Sequence, residues 1–394
     1  MKVAFLTNKS PFPPNDGSSM AIDAMIRGLV NEGIQVKILA MNTPKHPKSL
    51  YDVPNDLSHA IEIIMVDVDN RPTPFGAIKN LFSQDSYIIS RFQSEAFSAA
   101  VEGLLSKENF DWVQVEGLSL AIYLPLIRKH HSGKIVNRAH NVEHLIWERT
   151  AMYETNGLKA AYIKLQAKRL KQFELKVLNE FNAVVPITPT DQALLKSRGV
   201  HKPMHYAYCG INLKSRKIED HSNPVDFFFV GSFDWQPNLQ GMNWFLQQVW
   251  PLVLRKIPSA QLHILGRQAP DSFRRIKGVH IHPDQTTAES FFEKHSILVV
   301  PLRSGSGLRI KIVEAMAMAK SIVTTPIGAE GIQGQPGVHF FIHNKAEDFA
   351  AAMIELHHSK SLRQSMGHAA RTLAETYFNM DDIAKRLIEF MKTL

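Results

Sequence analysis

Short, almost wholly apolar segments alternate with longer amphipathic ones along this chain, and the alternation runs twice. The first run holds KVAFLT (2–7), QVKILAM (35–41), AIEIIMV (60–66), DWVQVEG (111–117), KIVNRAH (134–140) and AVVPIT (183–188). A polar stretch without periodicity follows, CGINLKSRKIEDHSNP (209–224), and then the second run: VDFFFVG (225–231), QLHILG (261–266), GVHIHP (278–283), SILVVPL (296–302) and SIVTT (321–325). Continuous apolar strands separated by helices indicate parallel sheets covered on both faces. Two such runs predict an α/β protein of two doubly wound, Rossmann-like domains, 1–208 and 225–375, joined by a linker at 209–224. A terminal helix at 376–394 is expected to cross back to the first domain. One long helix is expected from about 142 to 181, with others near 240–256 and 287–294. Ligands in such folds bind beyond the C-terminal ends of the strands, so four loops, 8–19, 139–144, 231–240 and 303–309, are expected around one cleft.

The single cysteine, Cys209, excludes an internal disulfide framework. No apolar run approaches the ~20 residues of a membrane span, and the apolar part of MKVAFLTNKSPFPPNDG is too short for a signal-peptide core. A cytoplasmic protein is expected. The net charge of +8 is spread evenly, with no basic tail to serve as a nucleic-acid arm. One segment is locally basic, KAAYIKLQAKRLKQFELK (159–176), with six Lys and Arg against one Glu. It reads either as a solvated helix face or as a surface for peripheral contact with an anionic membrane at its inner face.

The segment SGSGLRIKIVEAMAMAKSIVTT (304–325) carries the densest chemistry. Its helix has apolar residues on more than one side and one carboxylate, Glu314, among them. A buried carboxylate needs a partner; the candidates are Lys311, one turn back, or a ligand. Gly305 and Gly307 allow close backbone approach, a helix N-terminus offers unpaired N–H groups, and Arg303, Arg309 and Lys311 add positive charge. The set suits a diphosphate, and Glu314 suits the vicinal diol of a ribose. The competing reading is a glycine-rich turn with a structural Lys311–Glu314 pair.

PLRSGSGLRIKIVEAMAMAKSIVTTPIGAEGI resembles the nucleotide-binding segment of glycosyltransferase family 4, the retaining enzymes of GT-B fold. PFPPNDGSSMAI, RAHNVEH and FVGSFDWQPNLQGMNWFL are similar to that family's first N-terminal loop, histidine-bearing loop and second-domain entry loop. The resemblance implies two domains facing a cleft and transfer of a sugar from a nucleotide diphosphate sugar to a glycan, lipid-linked or other acceptor. It implies retention at the anomeric carbon, and neither metal nor other cofactor. It assigns donor binding to Gly17, Gly231, Ser304, Gly305, Ser306, Gly307, Leu308, Arg309, Lys311, Glu314 and Glu330, and catalysis to His140 and Arg309. Arg138, Asn141 and Glu143 are placed on the acceptor side. Two departures stand out. The family's pair of glutamates eight positions apart is reduced to Glu314, with Ser306 at the first position. The loop from Gly231 to Gly241 also lacks the family's basic residues, so Arg309, Lys311 and Arg303 are expected to supply that charge. Arg309 is expected nearer the phosphate, with Lys311 turned toward Glu314.

Three alternatives stay open on the sequence. His140-x-x-Glu143-His144 has the spacing of inverted zinc proteases, although His140 ends a strand rather than sitting in a helix. Trp235 and Trp244 are either acceptor contacts or core. The whole chain reads alternatively as a nucleotide-sugar epimerase of the same fold or as a non-catalytic nucleotide-sugar binder.

Overall fold

A computed structural model of the chain describes all residues except 46, 48–51, 217, 219–224, 283–287 and 306, and at Tyr153 it describes the backbone alone. The 209–224 crossing therefore lies partly, and Ser306 wholly, outside the described residues. Two compact units result: Met1–Gly210 with Met380–Leu394, and Ile211–Asn379.

The first unit is built on six strands, β1 (Lys2–Thr7), β2 (Gln35–Asn42), β3 (Ile61–Asp67), β4 (Trp112–Glu116), β5 (Lys134–Ala139) and β6 (Ala183–Pro186). They lie in the order β3-β2-β1-β4-β5-β6, with every pairing parallel. Of the central strands, β4 is buried throughout and β1 and β5 are buried after their first residue, which is why they read as largely apolar runs. The terminal helix Met380–Thr393 buries Met380, Ile383, Ala384, Leu387, Ile388 and Met391, one helical face, within this unit. It packs on the helix Gly17–Asn31 at Gly28, where a Cβ would stand 2.8 Å from both Ala384 Cβ and the Met380 carbonyl oxygen. Glycine is required there for the two backbones to approach.

The second unit repeats the design with β7 (Phe227–Val230), β8 (Leu262–Leu265), β9 (Val279–His282), β10 (Ile297–Val300), β11 (Ser321–Thr324) and β12 (Phe341–Ile342). The order is β12-β11-β10-β7-β8-β9, again parallel. Its core joins Phe227, Phe229, Phe245, Trp250, Ile297 and Val299 to the helix Ala346–His358 through Phe349 and Met353.

One expectation is corrected and one element is added. The long helix of 142–181 is two helices, Glu143–Tyr153 and Gly157–Leu178, because the Asn156 side chain accepts from the Lys159 amide and caps a new start. The two-residue β12 was not anticipated; at that length it carries no periodicity to read. Among the described residues no helix is long and apolar enough to cross a membrane.

Candidate functional site

In the first unit, the loops that follow β1, β4 and β5 converge on a cavity of about 390 Å³, lined by Asn8, Lys9, Ser18, Gly117, Ser119, His140, Asn141, Glu143 and neighbours. Asp16 caps the helix Gly17–Asn31 by accepting from the Ser18 and Ser19 amides, while Lys9 Nζ lies 2.6 Å from its carboxylate. Gly17 is thereby set, exposed, beside Ser18 at the rim.

The lining of this cavity includes a carboxylate absent from the sequence reading. Glu116 ends β4, fully buried, and its Oε2 lies 2.5 Å from His140 Nε2. Gln114 Nε2 donates to the other oxygen at 2.5 Å, and Arg138 Nη1 stands 3.8 Å away. Burial pushes this carboxyl up, but the Arg138 guanidinium and the His140 and Gln114 bonds outweigh it and hold Glu116 below the ordinary carboxylate range. Arg138 itself is fully buried, donating to the carbonyls of Ala21 (2.8 Å) and Tyr208 (3.5 Å). It stands behind Glu116 rather than in the cavity lining. The signal for Glu116 was present: a glutamate at the C-terminal end of a buried strand, in the layer where such folds place their sites.

Glu143 lines the cavity at the start of its helix and accepts from Asn141 Nδ2 at 3.3 Å. Burial, then the nearby Glu174, push its carboxyl up to about 7. Glu174, from the next helix, also accepts the Glu143 and His144 amides at 3.0 Å each, serving as the cap that Val142 cannot provide. His144 is fully buried between Glu174, 2.5 Å from its Nδ1, and Arg198, 2.5 Å from its Nε2. Both ring nitrogens are thus occupied, and His140 is held by Glu116, so the spacing that suggested a zinc protease does not assemble one site. Among the described residues, the group with metal-ligand spacing is His263, His282 and His295.

In the second unit, the loops after β7 and β10 meet around two glycines. A Cβ on Gly231 would lie 2.6 Å from Lys311 Nζ and 2.7 Å from Asn238 Nδ2, so glycine leaves the room that the lysine fills. Lys311 Nζ donates to Asn238 Oδ1 at 3.2 Å and sits 4.3 Å from the Phe229 ring centre. Among the described residues it forms no ion pair with Glu314, and it does not turn toward it: the lysine stands instead against the very loop that lacks basic residues of its own. Burial and then the Arg309 charge lower the Lys311 amine to about 7. Arg309 occupies the cap position of the helix Ile310–Ala317, donates from Nη1 to the Gly307 carbonyl (2.5 Å), and lies over the Trp235 ring at 5.7 Å. The helix thus opens at Ile310, after the glycine loop. Gly305 and Gly307 have φ of +106° and +81°, and a Cβ on Gly305 would crowd the Trp235 ring at 3.2 Å. Ser304 is buried and bonds Gln240 at 3.0 Å; Leu308 is half-buried.

Glu314 is buried, and its nearest cation is Arg216 Nη2 at 3.6 Å. Burial pushes its carboxyl up to about 7 despite Arg216. Arg216 lies in the polar crossing segment and also pairs with Glu289. Periodicity inside one helix could not disclose a partner from so distant a stretch. Glu330 is half-buried in the turn after β11. Of the two tryptophans, Trp244 packs on Phe349 under Arg303, while Trp235 stays 38% exposed above Arg309.

A family model described as Glycosyltransferase Family 4 matches residues 15–215, and one described as Glycosyl transferases group 1 matches residues 224–359. The chain is 23% identical over 364 residues, 90% of each protein, to an uncharacterized 44.6 kDa protein in the cps region of Klebsiella pneumoniae. Two solved structures share the fold at low identity. Sucrose-phosphate synthase of Thermosynechococcus elongatus has a TM-score of 0.72 at 15% identity, covering 100% of this chain and 98% of that one. HepE of Anabaena, in complex with UDP-glucose, has a TM-score of 0.67 at 13% identity, covering 100% of each.

Proposed function

The chain belongs to glycosyltransferase family 4, and on that premise we propose that it moves a sugar from a nucleotide diphosphate sugar to a glycan or lipid-linked acceptor with retention of anomeric configuration. The observation that carries this reading is the pairing of Arg309 and Lys311 beside two loop glycines. Two cations held close enough for one to lower the other's pKa form a site that a polyanion relieves. A leaving diphosphate gathers negative charge in the transition state, and these two groups are placed to stabilise it. The amides of Ser304, Gly305, Gly307 and Leu308 supply further donors to the diphosphate and sugar, and Ser306 belongs to the same loop. Glu314 accepts from the ribose hydroxyls, and Glu330 borders the base.

In the first unit, His140 serves the sugar being transferred, fixed in orientation by Glu116, which Gln114 and Arg138 hold ionised. Arg138 is in this reading a positioning residue. Gly17 lets the chain come close to the sugar, and Asn141 and Glu143 contact the acceptor. The relative from a cps region, and HepE with its UDP-glucose, make a UDP-linked sugar the first donor to test and a polysaccharide precursor the first acceptor class.

A peripheral membrane contact is supported by a surface stripe. The helix Pro74–Leu81 and the residue after it expose Phe75, Ile78, Leu81 and Phe82, at 79%, 59%, 45% and 91%. Arg169 of the basic helix Gly157–Leu178 donates to the Asn80 and Leu81 carbonyls at 2.9 and 3.2 Å, so the apolar residues adjoin a helix that exposes Lys164 and Lys168. Apolar groups flanked by lysines are what an anionic bilayer surface binds.

Incubation with radiolabelled UDP-, GDP-, ADP- and TDP-sugars tests the reading. Slow release of nucleotide diphosphate from one donor, accelerated by an acceptor, is expected. Free isomerised sugar would establish an epimerase instead, and saturable binding without turnover a binding protein.

A further inference from the structure

The second unit contains a cluster that the transfer reaction does not use. His263 on β8, His282 at the end of β9 and His295 just ahead of β10 each offer a ligand atom, and these atoms all lie within 4.8 Å of one another. His263 Nδ1 and His282 Nε2 face each other at 2.9 Å, within hydrogen-bond distance. Behind the cluster, Asp226 Oδ2 holds His295 Nδ1 at 2.6 Å, and Asp226 Oδ1 accepts the Ser296 amide at 2.8 Å. Asp226 and His295 are 5% and 7% exposed. Phe291 packs its ring 4.3 Å from that of His295 and 5.0 Å from that of His282.

The geometry points to a zinc site formed by His263, His282 and His295, with Asp226 as the carboxylate that orients His295 from behind. Zinc accepts imidazole nitrogens at about 2.0–2.1 Å, which separates tetrahedral ligands by about 3.4 Å, within the spread seen here. A metal replaces the hydrogen bond between two facing imidazoles. A carboxylate on the far nitrogen of a ligating histidine fixes its tautomer and raises its basicity. The apolar wall of Phe291 limits water. Three protein ligands leave a fourth position for water or another donor. The strands involved lie in the order β10-β7-β8-β9, so the ion ties the two outer strands to the approach of β10. Its role is to staple this side of the sheet. Asp226 and His295 stand where the chain enters β7 and β10, whereas Gly231 and the 303–309 loop stand where it leaves them. The site shares no residue with the proposed donor chemistry.

The test uses the full chain without an affinity tag, stripped with chelator and titrated with Zn2+, alongside the variants His282→Gln and Asp226→Asn. One equivalent of zinc per chain with a rise in Tm is expected, as is a tetrahedral visible spectrum when Co2+ is substituted. His282→Gln should abolish the spectrum, and Asp226→Asn should weaken affinity by about 10–100-fold. Absence of zinc binding by the wild type would overturn the proposal. So would unchanged stoichiometry and affinity in a folded His282→Gln. Should that variant fail to fold, unchanged zinc affinity in Asp226→Asn overturns it.

Discussion

Replacing Lys311 by methionine separates what this residue costs the fold from what it contributes to the donor. Its amine lies at about 7 instead of the ordinary 10.5, through burial and the Arg309 charge. At 1.36 kcal/mol per pH unit, holding the charged form costs at most about 5 kcal/mol. Lys311 keeps some solvent contact, and screening reduces the effective figure to about 1–3 kcal/mol. The sign follows from proton counting. Between pH 7 and 10.5 the unfolded chain binds the proton that the folded one has released, so wild-type stability rises across that window. Lys311→Met removes the penalty. It should raise ΔG of unfolding by about 1–3 kcal/mol at and below pH 7, an advantage that fades toward pH 10.5. The same substitution should weaken the donor, because a bound diphosphate returns the proton to the amine. Calorimetric titration of an intact nucleotide sugar, whose esterified phosphates do not titrate near neutrality, should register uptake approaching one proton per donor at pH 8 to 8.5 in the wild type. Run in two buffers of different ionisation enthalpy, the experiment should find that uptake missing in Lys311→Met. An unchanged or lowered stability of the variant at pH 7, or no proton uptake by the wild type, would refute the reasoning.

Other groups give equally specific outcomes. His140→Ala should remove most turnover with little loss of donor affinity, and Glu116→Gln should lower turnover in the same direction; wild-type rates in both would remove His140 from the mechanism. Arg309→Ala should cost about 2–4 kcal/mol in activation free energy, with Arg309→Lys recovering only part because an ammonium lacks the planar fork; near-normal kinetics would place the diphosphate elsewhere. Glu314→Gln should weaken nucleotide binding. It should also stabilise the fold above pH 7, since the raised carboxyl favours the folded state below 4.5 and loses that contribution as pH rises to about 7; calorimetry and thermal melts at pH 5 and 8 check both. Phe75→Ser with Phe82→Ser should reduce co-sedimentation with phosphatidylserine vesicles while sparing donor hydrolysis, and undiminished sedimentation would exclude that stripe as the contact.

The alternation of buried strands and covering helices was legible because parallel strands buried on both faces leave continuous apolar runs, as in FFFV of β7 and ILVV of β10. The position of the 303–309 loop followed from the same pattern, since the loop after a central strand is where such folds place ligands. Side-chain pairing was not legible. Lys311 and Glu314 are one helical turn apart, and the spacing suggested a pair, yet each found a partner from another segment: Asn238 for the lysine, Arg216 for the glutamate. Glu116 was signalled only by its place at the end of β4, because its meaning depends on which residue follows the neighbouring strand, here His140. The histidines of LHIL and VHIH read only as strand positions until the sheet order brought β8 beside β9.

Retention is tested most directly by the configuration of the first sugar released. Proton NMR, started as soon as the enzyme meets an α-linked nucleotide sugar and faster than mutarotation, resolves the anomer formed in the absence of acceptor. Retention requires the α-sugar to appear first together with the nucleotide diphosphate. Initial appearance of the β-anomer, or of an isomerised sugar, would contradict it.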